Sequence, residues 1–332
     1  MNWKLAILIV AALGVVIGAL IAIGVAPSDA FLQILKGSVG TPGAIGRTLR
    51  ETTPLLILGV AVFLGLRGGL FNIGVEGQFL IGACVAASLG LKVPGILGVL
   101  LAIVGGAIAG ALWAFPAGWI KAYRGGHEVI STIMLNNIAF HLTTGLVAGP
   151  LKAPGQQSTT TATLTDSTKL PMLYSAPPLT INIALIFALA LVAALALWLK
   201  RTVAGYELNA VGANPKAAQF AGVDVRKVTV WTMLASGAIG GLAGSCQVLA
   251  YEHRFYEGFS PGYGFDALGV ALLAGSSPWG VVPAAGLFGI LSTGSSFISA
   301  ALQIPKGLNG VLIGLIIIVF AAFRYRRSRS NG

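Results

Sequence analysis

Long apolar runs alternate along the chain with short polar interruptions, and the run lengths suit membrane spans. Leu5 to Val25 and Ile181 to Leu199 carry no charge, and each is close to the roughly 20 residues that a helix needs to cross ~30 Å of hydrocarbon. Lipid offers backbone amides no partner, so such runs read as helices. Taken between charges and Pro/Gly breaks, the pattern predicts about ten spans: Leu5–Val25, then 54–66, 74–91, 95–121, 128–148, 180–199, 228–250, 264–276, 279–300 and 308–323. The expected fold is all-α and integral to the membrane, a single transmembrane domain over 1–332 with both ends on one side. The first run follows a lone Lys4 and is too long for a signal-peptide core, so it reads as a retained span.

Two places break the pattern. The apolar segment Pro54 to Leu66 stops at Arg67-Gly68-Gly69 and is too short to cross as a helix rising ~1.5 Å per residue. A discontinuous helix is expected there, with irregular backbone near Gly74 to Gly77. A second break of similar texture lies in GFSPGYGFDALGVALLAG. Setting Gly77 against Gly264 also sets Gly82 against Gly269, and an odd number of spans between the copies makes an inverted five-helix repeat. Interrupted helices in such repeats usually flank a substrate path. Small-xxx-small pairs at Gly14/Gly18, Gly65/Gly69, Gly106/Gly110, Gly237/Gly241 and Gly310/Gly314 predict close helix packing.

Composition agrees with the pattern: of 332 residues 56% are hydrophobic and 9% charged, against the ~25% charge of a soluble domain. The formal net charge of +11 is explained by topology, since cytoplasmic flanks collect Lys and Arg. Arg324, Arg326, Arg327 and Arg329 in the tail join Lys200, Arg201, Lys216, Arg226 and Lys227 on one face, with Lys121 and Arg124. That face is assigned to the cytoplasm, both termini included, and no nucleic-acid partner is implied. The outer loop 149–179, with QQSTTTATLTDST and several prolines, lacks core periodicity and reads as a solvated linker on a surface where a delivery protein could dock. Cys84 and Cys246 fall inside spans and give no disulfide framework.

No motif for catalysis stands out. A Walker A sequence is missing, His127-Glu128-Val129-Ile130-Ser131 puts Ser where a zinc helix needs its second His, and His127, His141 and His253 lie far apart. Polar groups inside spans are the better lead, because lipid makes them costly. Candidates for a substrate path are Phe71, Asn72, Glu76 and Gln78 at the first break, Asn136 and Asn137 in the fifth span, Gln247 in the seventh, and Asp266 at the second break. Glu76 and Asp266 each fit two roles, a path-lining carboxylate or one that satisfies free amides at a helix start. Of Asn136 and Asn137, about 100° apart on a helix, one at most faces a path. Gln247 reads as packing glue.

The polar stretch 200–227 is the longest hydrophilic island between later spans. Within it Asn214-Pro215-Lys216-Ala217-Ala218-Gln219-Phe220-Ala221-Gly222 has an Asn N-cap, Pro at the first helical position, an Ala-rich body and a closing Gly. A short capped helix on the cytoplasmic face suits a groove on another protein. A loop lying on headgroups would show more bulky apolar residues.

These residues carry a resemblance. GYELNAVGANPKAAQFAGVDV resembles the coupling segment of ABC importer permeases of the ribose, branched-chain amino acid and nucleoside group. RETTPLLILGVAVFLGLRGGLFNIGVEGQFLIGA, GGHEVISTIMLNNIA and FDALGVALLAGSSPWGVVPAAGLFGIL are similar to the same group, and the first looks most like the larger nucleoside permease. The resemblance implies a ten-span permease of the bacterial inner membrane, paired with a second, related permease. It further implies a separate cytoplasmic ATPase that binds ATP and Mg, with no cofactor in this chain, and an extracytoplasmic substrate-binding lipoprotein. Residues 214–222 would be the coupling helix. Asn209 stands where the group commonly has Arg. Sugar or branched-chain amino acid permeases, and an ion-coupled carrier titrating Glu76 or Asp266, are the alternatives.

Overall fold

The computed structural model describes residues 27–302; the expected spans at Leu5–Val25 and 308–323, and both termini, lie outside them. In chain order the elements are α1 (Pro27–Val39), α2 (Pro42–Arg67), α3 (Val75–Lys92), α4 (Gly95–Arg124), α5 (Glu128–Ala148), a hairpin of β1 (Met172–Ala176) and β2 (Leu179–Asn182), then α6 (Ala184–Arg201), α7 (Val203–Ala213), α8 (Pro215–Phe220), α9 (Val225–Gln247), α10 (Tyr263–Ala274) and α11 (Val281–Leu302). Among the described residues seven helical stretches are long and apolar enough to cross a membrane. The expected span at 264–276 is instead α10, whose 12 residues reach only ~18 Å.

The short span expected at 54–66 is corrected. Helix α2 has 26 residues and runs through Pro54, so length does not force a discontinuity inside it. Its polar first half misled the reading, yet those side chains bond within helical structure. The Thr48 hydroxyl donates to the Ser38 carbonyl at 2.8 Å and the Thr52 hydroxyl to the Thr48 carbonyl at 2.7 Å, which lets both threonines be buried. Helix α1 lies in what read as a connecting stretch. The irregular backbone falls at 68–74, and Gly77 is already helical.

The described residues divide into two compact units. One holds 53–173 and 182–282; the described part of the other is 27–52, 174–181 and 283–302. In the larger unit α3, α4 and α9 pack against one another along a seam of small residues. The buried residues of α4 include Gly98, Ala102, Gly106, Gly110 and Ala114, one per turn, while Ile96 and Leu112 point outward, 74% and 65% exposed. Small residues inside and large ones outside reverse the soluble pattern and suit helices in lipid, where close backbone approach supplies the packing energy. A Cβ on Gly82 would fall on the Gly241 backbone, and one on Gly110 on the Gly237 carbonyl and the Gly241 backbone. Gly106, Gly110, Gly237 and Gly241 thus pack as the small-residue pattern predicts. Gly69 instead sits in a turn at φ +74.

The loop 149–179, expected as a solvated linker, is docked in its middle part. Thr161 N donates to Phe255 O at 2.8 Å, Leu164 N to His253 O at 2.8 Å and Leu170 N to Leu249 O at 2.9 Å, so the loop runs along the chain that follows α9. Its Thr160, Thr161, Leu164 and Thr168 are buried. The sequence hid this because the pairing uses backbone groups, which carry no hydrophobic period. The smaller unit repeats the close-packing device, with Gly37 under the Phe297 ring, Gly289 against Thr52 and Gly294 against Ile34.

Overpacking a seam built of backbone contacts should cost about 3 kcal/mol or more. Gly241→Leu is therefore expected to lower the melting temperature in detergent and the yield of monodisperse protein. Gly145→Ala, with nothing within 4 Å of the new Cβ, should melt at or slightly above wild type.

Candidate functional site

The break between α2 and α3 is where the polar candidates gather. Asn72, fully buried, exchanges two hydrogen bonds with Gln78: its Nδ2 donates to Gln78 Oε1 at 3.1 Å, and Gln78 Nε2 returns a bond to Asn72 Oδ1 at 3.2 Å. The same Oδ1 accepts from Gly74 N at 3.0 Å, and Nδ2 also donates to Ser236 Oγ of α9 at 2.9 Å. Ser236 in turn donates to Ala61 O of α2 at 2.8 Å. From α5, Asn136 accepts from Gly77 N at 2.8 Å and donates to Ile73 O at 2.9 Å. These amides replace the backbone partners that the break has lost.

Glu76 reaches the second break. Its Oε2 accepts from Gly264 N at 2.6 Å, and a Cβ on Gly264 would meet the Glu76 N and Cα. The two glycine-rich interruptions therefore touch, and the carboxylate serves a helix start, here that of α10 rather than its own. Asp266 lies half-buried in the first turn of α10, where its N–H donates to Gly262 O at 3.1 Å. Phe71 is half-buried on the break. Asn137 is exposed on α5, with Nδ2 donating to Ile133 O on its own helix at 3.1 Å, so it is not brought to the cluster. Gln247 is buried, and its Nε2 donates to Glu252 Oε1 at 3.4 Å.

Sequence reasoning missed an aromatic group beside Glu76. Phe255 stacks on Phe259 with centroids 4.9 Å apart; Tyr256 and Phe79 meet Phe259 at 5.4 and 5.7 Å. A cavity of about 30 Å³ here is lined by Glu76, Phe140, Thr143, Phe255, Tyr256 and Ser260 among others. It has room for water only. Tyr256 also lines an open pocket of about 440 Å³ with Ser158, Thr159, Thr160, Glu252, Arg254 and Glu257. The signal was the aromatic spacing in HRFYEGFSPGYGF, read only as a helix break. Among the described residues no His/Cys/Asp/Glu group could hold a metal ion.

The island 200–227 folds into α7, α8 and the start of α9. Asn214 Oδ1 accepts from Lys216 N and Ala217 N at 3.1 Å, Pro215 opens α8, and Gly222 closes it at φ +90. Ala218 alone is buried in that helix; Pro215, Lys216, Ala217, Gln219 and Ala221 are exposed, and Phe220 is 94% exposed. Asp224 caps α9 by accepting from Lys227 N at 3.1 Å. Asn209 accepts from Arg67 Nε at 2.9 Å.

Asn136→Ala strips partners from Gly77 N and Ile73 O and is expected to cost about 1–3 kcal/mol. Asn137→Ala should stay within ~0.5 kcal/mol of wild type. Thermal melting of the two purified variants checks the pair; equal losses would contradict the assignment.

A family model for the permease component of branched-chain amino acid transport systems matches residues 44–321. The chain is 37% identical to the guanosine ABC transporter permease protein NupP of Bacillus subtilis (strain 168), over 95% of this chain and 92% of that one. It is 32% identical to the nucleoside ABC transporter permease protein NupB of Lactococcus lactis subsp. cremoris, over 95% and 89%. It is 31% identical to the glucose ABC transporter permease protein TsgB13 of Haloferax volcanii, over 93% and 84%. No solved structure matches. With apolar spans packed through glycine and a family match over most of its length, the chain belongs to the permease components of branched-chain amino acid-type transport systems and is an ABC transporter permease.

Proposed function

We propose that this permease carries nucleosides inward across the bacterial inner membrane, driven by a separate cytoplasmic ATPase that binds ATP and Mg. The observation that carries the reading is similarity over 95% of the chain to two permeases named for guanosine and nucleosides. The site chemistry supports it. A nucleoside offers a flat aromatic base and a polar sugar, and Tyr256 belongs both to the aromatic group around Phe259 and to the lining of a pocket of hydroxyls and charged groups. The inner cavity is far below the roughly 300 Å³ or more of a small-molecule site, so this conformation is closed at Glu76 and transport requires it to open. A sugar is the second reading, favoured by the similarity to a glucose permease.

The finer architecture belongs to the same proposal: ten spans, both termini cytoplasmic, and halves related as an inverted repeat whose two breaks meet at Glu76 and Gly264. A second, related permease completes the path, and an extracytoplasmic binding lipoprotein delivers the solute. Helix α8, Asn214 to Gly222, is the coupling helix. It presents nearly all its side chains outward and spends one, Ala218, on the permease itself, the surface expected of a helix seated in a partner's groove. ATP binding would move that groove, and the bundle would rock between outward and inward openings.

Binding of guanosine, uridine, glucose and leucine to the purified delivery protein tests the cargo; tight binding of glucose alone would overturn the nucleoside assignment. Phe220→Asp, at a fully solvated position, should leave melting unchanged while uptake falls at least tenfold and the ATPase no longer co-purifies. Normal uptake with normal co-purification would remove α8 from the coupling role.

A further inference from the structure

The geometry points to Arg67, Asn209 and Gly212 as the joint through which motion of α7 and α8 reaches the broken helix beside Glu76. The inference rests on the coupling role proposed above. Two attachments lie three residues apart on one face of α7. At the first, Arg67 Nε at the end of α2 donates to Asn209 Oδ1 at 2.9 Å. Asn209 cannot swing freely to follow it, because its own Nδ2 donates to Gly205 O one turn back at 2.9 Å, which aims the carbonyl at the guanidinium. At the second, backbone meets backbone: a Cβ on Gly212 would fall on the Arg67 carbonyl oxygen and within 3.0 Å of Gly69 N, and a Cβ on Gly69 would lie 3.2 Å from Gly212 Cα. No side chain intervenes to absorb displacement.

From this joint the connection is short and stiff. Gly68 leaves α2, and a Cβ there would stand 2.8 Å from the Thr232 methyl of α9. Four residues on, Asn72 bonds Ser236 and Gln78; four beyond that, Glu76 bonds Gly264 at the start of α10. Short chain segments join these hydrogen bonds and close contacts, so a shift of α7 is delivered to Glu76, which lines the inner cavity and bonds Gly264. Arg67 and Asn209 are positioning residues in this scheme and touch no substrate.

The test uses the complete transporter, this permease with its companion permease, ATPase and delivery protein, reconstituted in vesicles. Solute taken up is measured per ATP hydrolysed, using whichever solute the delivery protein binds, so the nucleoside assignment can fail while the joint stands. Asn209→Leu and Arg67→Met are expected to assemble and hydrolyse ATP, with uptake per ATP falling about fivefold or more. The double variant should be no worse than either single one. Asn209→Asp keeps an acceptor before the guanidinium but loses the donor to Gly205 O, so its ratio should fall between those of wild type and Asn209→Leu. A wild-type ratio in Asn209→Leu and Arg67→Met, additive losses in the double variant, or an Asn209→Asp as impaired as Asn209→Leu would overturn the joint. So would a failure of Asn209→Leu to assemble, which would make the pair a folding contact.

Discussion

Irregular backbone inside an apolar bundle keeps its place when its amides and carbonyls find partners, because neither lipid nor packed side chains supply any. Here that requirement falls on residues 68–74, between α2 and α3. Asn72 accepts from Gly74, Asn136 bonds both Gly77 and Ile73, and Gln78 and Ser236 hold Asn72 in place. Helix α3 can then begin at Val75, which sets Glu76 in the first turn and carries its carboxylate to Gly264. The meeting of the two breaks depends on that small amide network.

Close packing makes the network possible. Asn136 reaches Gly77 from a neighbouring helix because a Cβ at 77 would stand 2.9 Å from Asn136 Oδ1. Along the α3, α4 and α9 seam the same absence of side chains lets backbones touch, while bulky apolar residues of α4 and α5 face outward. Glycine-rich seams of this kind are stiff in one sense: their contacts are made of backbone, which does not change rotamer. Rigid parts of this kind confine movement to the few places that lack them.

The candidate site has a buried part and two exposed regions. Near Glu76 the rings of Phe140, Phe255, Tyr256 and Phe259 line a cavity with room for water only. A pocket lies on the loop docked against 252–257. Helix α8 stands almost fully exposed. Glu76, which lines that cavity, also holds the start of α10 through Gly264 N at 2.6 Å.

Several features were determined by sequence alone. Run lengths set α3 and α5 to within a residue at each end and α9 to within three, because a helix in lipid must satisfy its own backbone and its apolar length is fixed by the bilayer. The cap of α8 was legible too, since Asn214, Pro215 and Gly222 act locally. Tertiary structure decided the rest. The polar start of α2 can be buried because its threonines bond carbonyls of α1 and α2; the loop 149–179 is docked by backbone pairs; Asn136 and Asn137, chemically identical neighbours, part ways because only one faces the break. In each case the partner is remote in sequence or is backbone common to every residue, and a one-dimensional pattern records neither.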